Sequence, residues 1–143
     1  LLYNQIKLAG TRVCVISRSD IVGKPLAMLL AQEGADSTVT ICHDKTTPED
    51  LRWYTRAADI VVVGVGIPGF LKREMVFKGT TVVDVGITRV GDKVVGDASE
   101  ELHGHAGAIT PVPGGVGPMT VLKLLENTFR AAVLQTRGLE RAN

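Results

Sequence analysis

Hydrophobic positions along the chain come in two kinds, short solid runs and longer periodic stretches. "TRVCVIS" is an unbroken, β-branched run without helical periodicity, so it predicts a strand. "RSDIVGKPLAMLLAQEG" follows directly, with apolar positions nearly all the way round a helix. It predicts a turn and a buried helix, with Pro25 in the first helical turn and Gly34 at the stop. "STVTICH" reads as a second strand, and "TPEDLRWYTRA" as a short helix capped by Thr47 with Pro48 at its first position. "DIVVVGVG" and, after a short helical segment around Leu71 to Val76, "TTVVDVG" read as the third and fourth strands. "ITRVGDKVVGD" alternates around Gly91 and Asp92 like a small hairpin, and "AGAIT" reads as a last strand. From Met119 onward, Val121, Leu124, Leu125, Thr128, Phe129 and Ala132 mark one face of a long final helix.

Strands alternating with helices imply right-handed crossovers and a parallel sheet covered on both faces. The strands themselves barely alternate in polarity, as strands buried on both faces should. The expected fold class is therefore α/β, a Rossmann-like, mostly parallel sheet with helices on both faces. Residues 11–118 form the body of that domain, and residues 119–143 a C-terminal helix and tail. Residues 1–10, "LLYNQIKLAG", place Leu2 and Ile6 one helical turn apart before Gly10, and so read as the end of a helix.

Composition narrows the function classes. The 143 residues carry a formal net charge of +1 and are 45% hydrophobic, a balance that gives no broad attraction to nucleic acid or membrane and suits a small ligand. No apolar stretch approaches the roughly 20 residues of a membrane span. The expected setting is soluble and cytoplasmic, with mitochondrial residence left open. Cys14 and Cys42 lie inside predicted strands and read as reduced core residues.

In an open α/β sheet, ligands sit at the carboxyl ends of the strands, so the informative residues follow each apolar run. They are "SRSDIVGKP", "HDKT", "GVGIPG", "DVGITR" and "TPVPGGVGPMT". The first lacks a full G-x-G-x-x-G fingerprint and keeps only Gly23, a pattern that an ordinary strand-to-helix turn also presents. Ser19 can donate to a phosphate, and the following helix would aim its free N–H groups at the same place. Arg18, at the end of the first strand, can grip a ribose 2′-phosphate. Asp44, after the second strand, stands where an acidic residue accepts from the ribose 2′-hydroxyl and repels a phosphate, while Lys45 offsets its charge. The spacing alone leaves NAD and NADP unresolved.

His43 reads as a cofactor-edge or packing residue. Glycines in "GVGIPG" and "DVGITR" allow a flat ring and a ribose to approach the backbone. His103 and His105 have no third metal ligand near them in sequence, and no metal is expected. Tyr3 and Lys7 have a Tyr-x-x-x-Lys spacing, but their position ahead of the first strand reads as linker surface.

Taken in order, "SRSDIVGKP", "DIVVVGVGIPGF", "VVDVGI", "VVGD" and above all "TPVPGGVGPMT" resemble the bifunctional methylenetetrahydrofolate dehydrogenase/methenyltetrahydrofolate cyclohydrolase family. The resemblance covers nearly the whole chain and implies its nucleotide-binding domain, with residues 1–10 as the end of an interdomain helix. It implies that Arg18 and Ser19 bind the 2′-phosphate region, Gly23 the dinucleotide turn, and Val65 and Gly66 the central nucleotide. His43 and Asp44 would edge the cofactor, and Ile87, Gly117 and Thr120 would hold the nicotinamide. Pro113 and Gly114 would wall the place where nicotinamide and folate substrate meet. NADP is the expected cofactor, with NAD possible.

No catalytic residue is expected in this chain, because in that family the cyclohydrolase Tyr and Lys belong to an N-terminal folate domain. That domain, a tetrahydrofolate substrate and a homodimer mate are the expected partners. Two departures from the family pattern stand out: Ser17 where Gly is usual, and Asp44 where a small polar residue is common. The alternative is a stand-alone nucleotide-binding module without folate chemistry. Another two-domain dehydrogenase, such as one acting on shikimate, would share the fold but leave the proline-glycine segment unexplained.

Overall fold

The computed structural model describes residue 1 and residues 5–140. Five strands, β1 (Arg12–Ile16), β2 (Thr38–Cys42), β3 (Ile60–Val63), β4 (Thr81–Asp84) and β7 (Ala108–Ile109), form one parallel sheet in the order β2-β1-β3-β4-β7. A separate antiparallel hairpin, β5 (Thr88–Val90) and β6 (Lys93–Val95), turns at Gly91 and Asp92. The helices are α1 (Gly23–Ala31), α2 (Pro48–Ala57) and α3 (Val116–Glu140).

The solid apolar runs become the buried centre of the sheet. Val13 to Ile16 of β1 and all of β3 are buried, and β1 is flanked in register by β2 and β3, with Val15 opposite both Ile41 and Val62. Alternate side chains point to opposite faces. Val13, Val15, Ile60 and Val62 pack with Leu30 and Leu26 of α1 on one face; Cys14, Ile16, Val61 and Val63 pack with Leu51 of α2 on the other. This division follows from the topology: β1 to β2 steps outward and β2 to β3 returns past β1, so two right-handed crossovers put their helices on opposite faces.

The structure departs from the sequence reading in four places. Helices do not alternate with strands throughout: β3 reaches β4 through a single 3₁₀ turn, Arg73–Met75, and β4 reaches β7 through the β5–β6 hairpin and a second 3₁₀ turn, Glu100–Leu102. Helix α1 is not buried all round, since Met28 and Leu29 are exposed while Ala27 and Leu30 are buried. It also ends at Ala31, before Gly34, whose positive φ instead shapes the turn into β2. Helix α3 begins at Val116, inside the proline-glycine segment, with Pro118 in its first turn where a missing N–H costs nothing. Its apolar positions Val121, Leu124, Leu125 and Phe129 are exposed. At the chain start, residues 6–8 and the turn at 9–10 are not helical; the expected helix positions Leu2 and Tyr3 lie outside the described residues. Among the described residues, no helix is long and apolar enough to cross a membrane.

Candidate functional site

The strand order reverses between β1 and β3, and doubly wound sheets take their ligands outside the carboxyl ends of the strands at such a point. Residues 17–22 leave the end of β1 at this point. Ser19 Oγ accepts from the N–H groups of Val22 (3.1 Å) and Gly23 (3.2 Å), and Ser19 O accepts from Lys24 N–H (3.0 Å). The serine thus caps α1 from outside, and its own hydroxyl hydrogen is left to donate. Gly23 is required by contact: a Cβ there would overlap the carbonyl oxygen of Ser17, so the turn closes only over glycine. Ser17 is buried, with Oγ 3.4 Å from Ser19 Oγ.

Arg18 and Asp44, distant in sequence, meet across the ends of β1 and β2. Arg18 Nη2 lies 2.5 Å from Asp44 Oδ1, and Lys45 Nζ lies 3.5 Å from Asp44 Oδ2. Both members of the pair are half-exposed, so it is a solvated latch and not a buried bridge. Asp44 is held by a tight turn, in which Thr46 N–H donates to His43 O (2.9 Å) and Lys45 N–H donates to His43 Nδ1 (3.1 Å). The His43 ring is therefore an anchor for the loop. His43 and Asp44 also line a cavity of about 360 Å³ with Leu51, Phe70 and Met75.

Val65 and Gly66 follow β3, and their amides are already engaged. Both donate to Asp97 Oδ2, at 2.6 and 2.8 Å. These N–H groups are consumed within the protein, and the Val65 side chain packs against the core, so the amides expected to meet the central nucleotide are not free. Past β4, Ile87 is exposed and reaches Gly117, where an added Cβ would sit 3.7 Å from Ile87 Cδ1. Thr120 lies one turn further along α3, its hydroxyl donating to Val116 O (3.2 Å). Pro113 borders a separate cavity of about 880 Å³ with Pro68, Gly96 and Thr110. Gly114 takes a φ of 104° in the turn before α3.

The sequence-predicted residues thus fall into three groups along one sheet edge: Arg18, Ser19, Gly23, His43 and Asp44 at β1 and β2; Val65 and Gly66 at β3; Ile87, Gly117 and Thr120 beside α3. Pro113 and Gly114 stand next to the third group. Sequence reasoning passed over Asp84 and Asp97, both buried. Their signal was an acidic residue at the end of an apolar run, directly after it in "TTVVDVG" and one glycine later in "VVGD".

Elsewhere, Cys14 Sγ and Cys42 Sγ lie 3.7 Å apart in the core as free thiols. The hydrogen bond it shares with Cys42, and then burial, push the Cys14 thiol up. His105 Nε2 is 3.2 Å from Val76 O, and the described residues contain no group of three or more His, Cys, Asp or Glu able to hold a metal.

A family model described as tetrahydrofolate dehydrogenase/cyclohydrolase, NAD(P)-binding domain, matches residues 1–136. A bifunctional FolD protein of Thermoplasma acidophilum is 52% identical over 128 residues, which cover 89% of this chain and 45% of the relative. The chain therefore spans a little under half the length of the curated relatives it matches. Among solved structures, a 5,10-methylenetetrahydrofolate dehydrogenase from the silkworm Bombyx mori superposes with a TM-score of 0.90 at 46% identity, covering 95% of this chain and 49% of that one. A Trypanosoma brucei methylenetetrahydrofolate dehydrogenase-cyclohydrolase, complexed with NADP cofactor and an inhibitor, gives 0.83 at 42% identity, covering 92% of this chain and 48% of that one.

Proposed function

The chain belongs to the tetrahydrofolate dehydrogenase/cyclohydrolase family as its NAD(P)-binding domain, and from that premise we propose that it is the NADP-binding half of a bifunctional enzyme of one-carbon metabolism. That enzyme oxidises 5,10-methylenetetrahydrofolate to the 5,10-methenyl form and hydrolyses it to 10-formyltetrahydrofolate. The observation that carries the NADP reading is Arg18, a guanidinium fixed at the end of β1 and reaching the β2 loop, where the adenosine ribose of a dinucleotide lies in this fold.

The residues fit a dinucleotide. The turn over Gly23 brings backbone close with no side chain in the way, and α1 has no acidic residue in its first turn, so its positive dipole end is unopposed even though its first N–H groups are held by Ser19 and are not free as the sequence suggested. NADP⁺, when bound, supplies the hydride acceptor. Arg18 and the Ser19 hydroxyl would hold the 2′-phosphate end, exchanging Asp44 for phosphate oxygens. His43 and Asp44 would border the adenosine, and Val65 and Gly66 the central nucleotide. Ile87, Gly117 and Thr120 would set the plane of the nicotinamide, and Pro113 and Gly114 would limit where a folate can stand against it. Hydride transfer depends on alignment more than on acid or base groups, so a chain that supplies only positioning is chemically sufficient for its half of that step.

The folate site, the cyclohydrolase acid-base groups, a homodimeric assembly and a cytoplasmic setting belong to the same reading. It also accounts for α3, whose exposed apolar row the remaining half of a protein of the relatives' length would cover. The test is turnover: a two-domain protein containing this chain should form methenyl product from 5,10-methylenetetrahydrofolate with NADP⁺. Cofactor binding without methenyl product would instead favour a nucleotide-binding module without folate chemistry.

A further inference from the structure

Asp97, two residues past β6, is fully buried. Oδ2 accepts from the N–H groups of Val65 and Gly66, pinning the start of the β3 loop. Its own N–H donates to Asp84 Oδ1 (3.1 Å), which also accepts from Gly86 N–H (2.9 Å); Asp84 Oδ2 accepts from Ala98 N–H (2.8 Å). Glycines complete the interlock. A Cβ on Gly86 would overlap the Asp97 carboxyl group, and one on Gly96 would overlap that of Asp84.

Two amide donors on one oxygen could be met by a neutral asparagine, whose carbonyl has two lone pairs. The chain instead carries a carboxylate, with Oδ1 buried and without a hydrogen-bond partner, and among the described residues neither Asp97 nor Asp84 has an ion-pair partner. An uncompensated buried carboxylate is costly unless a positive charge joins it. Its carboxyl group abuts Gly86, the residue before Ile87, and Ile87 faces Gly117.

We infer that Asp97 is a positioning residue that gives the site its preference for the oxidised nicotinamide: it fixes the β3 loop and sets a negative charge behind Gly86, next to the Ile87 that would hold the ring. The inference rests on the cofactor reading above. The oxidised ring is cationic and the reduced ring neutral, so a fixed anion in a low-dielectric setting attracts only the former. A carboxylate that merely crosslinks loops would treat both forms alike.

The experiment titrates this chain and its Asp97→Asn variant with NADP⁺, NADPH and 2′,5′-ADP, the last lacking a nicotinamide. The wild-type chain should bind NADP⁺ more tightly than NADPH. Asp97→Asn should lose about ten-fold in affinity for NADP⁺, as for a lost charge interaction, while NADPH and 2′,5′-ADP change less than about two-fold. A parallel fall for all three ligands, or no change in any, overturns the assignment. If the variant does not fold, the wild-type comparison decides alone, and NADPH binding as tightly as NADP⁺ overturns it. A wild-type chain that binds none of the three overturns the cofactor reading itself, and the role of Asp97 with it.

Discussion

Arg18 and Asp44 show how a single contact can hold a choice of ligand. The guanidinium is already paired, so a 2′-phosphate must displace Asp44, whereas a 2′-hydroxyl need not. Arg18→Ala should weaken NADP⁺ by about ten-fold or more, the worth of a charge-assisted hydrogen bond, and leave NAD⁺ nearly unchanged in calorimetric titration. Equal loss for both would remove Arg18 from the phosphate site. Asp44→Ser frees the guanidinium of an exposed pair worth about 0.2–1 kcal/mol, so NADP⁺ affinity should rise by up to about five-fold relative to NAD⁺. Arg18 and Asp44 were legible as candidates because each stands two residues past an apolar run. Their ion pair was not, since no local pattern reports a contact between residues 26 positions apart. Asp97 was harder still: its donors at residues 65 and 66 and its neighbour Gly86 come together only through the sheet.

Among the elements, the turn between β1 and α1 and the start of the sheet make separate claims. Gly23→Ala forces a methyl group against the Ser17 carbonyl, an overpacking cost of about 1–3 kcal/mol. Thermal denaturation should show that loss, and cofactor affinity should fall with it. An unchanged melting temperature would mean the turn has room. At the opposite edge, Asp59 accepts from Arg12 N–H (2.8 Å) and its side chain meets Arg12 Nη2 at 3.2 Å, tying β1 to the approach of β3. The side-chain hydrogen bond from Arg12, then its backbone N–H, hold the Asp59 carboxyl below its ordinary value. A carboxyl group lowered by folding stabilises above its unfolded pKa of about 3.9, and the contribution disappears as pH falls through the lower folded value. Asp59→Asn should therefore lower stability at neutral pH by about 1 kcal/mol or less, given its exposure, and the difference should close in strong acid. Element types were legible because solid runs and periodic runs differ in period. The short helical segment expected around Leu71 to Val76 is there as the 3₁₀ turn Arg73–Met75, whereas the turn at Glu100–Leu102 was too short to show a period, and α3 started early because its glycines and prolines masked a helical first turn.

Over the whole molecule, element order was enough to foresee a parallel sheet, because right-handed crossovers leave few other arrangements. The sheet order then puts five sequence-distant segments on one edge. What the pattern could not give was coverage. The apolar row of α3 is as regular as that of a core helix, yet Leu124 and Phe129 are exposed, because periodicity reports that a face wants covering and not what covers it. The most direct test of the whole account is titration calorimetry of this chain with NADP⁺ and, separately, NAD⁺ at one fixed salt concentration. The account predicts binding of NADP⁺ in preference to NAD⁺. Tighter binding of NAD⁺, or binding of neither, would contradict it.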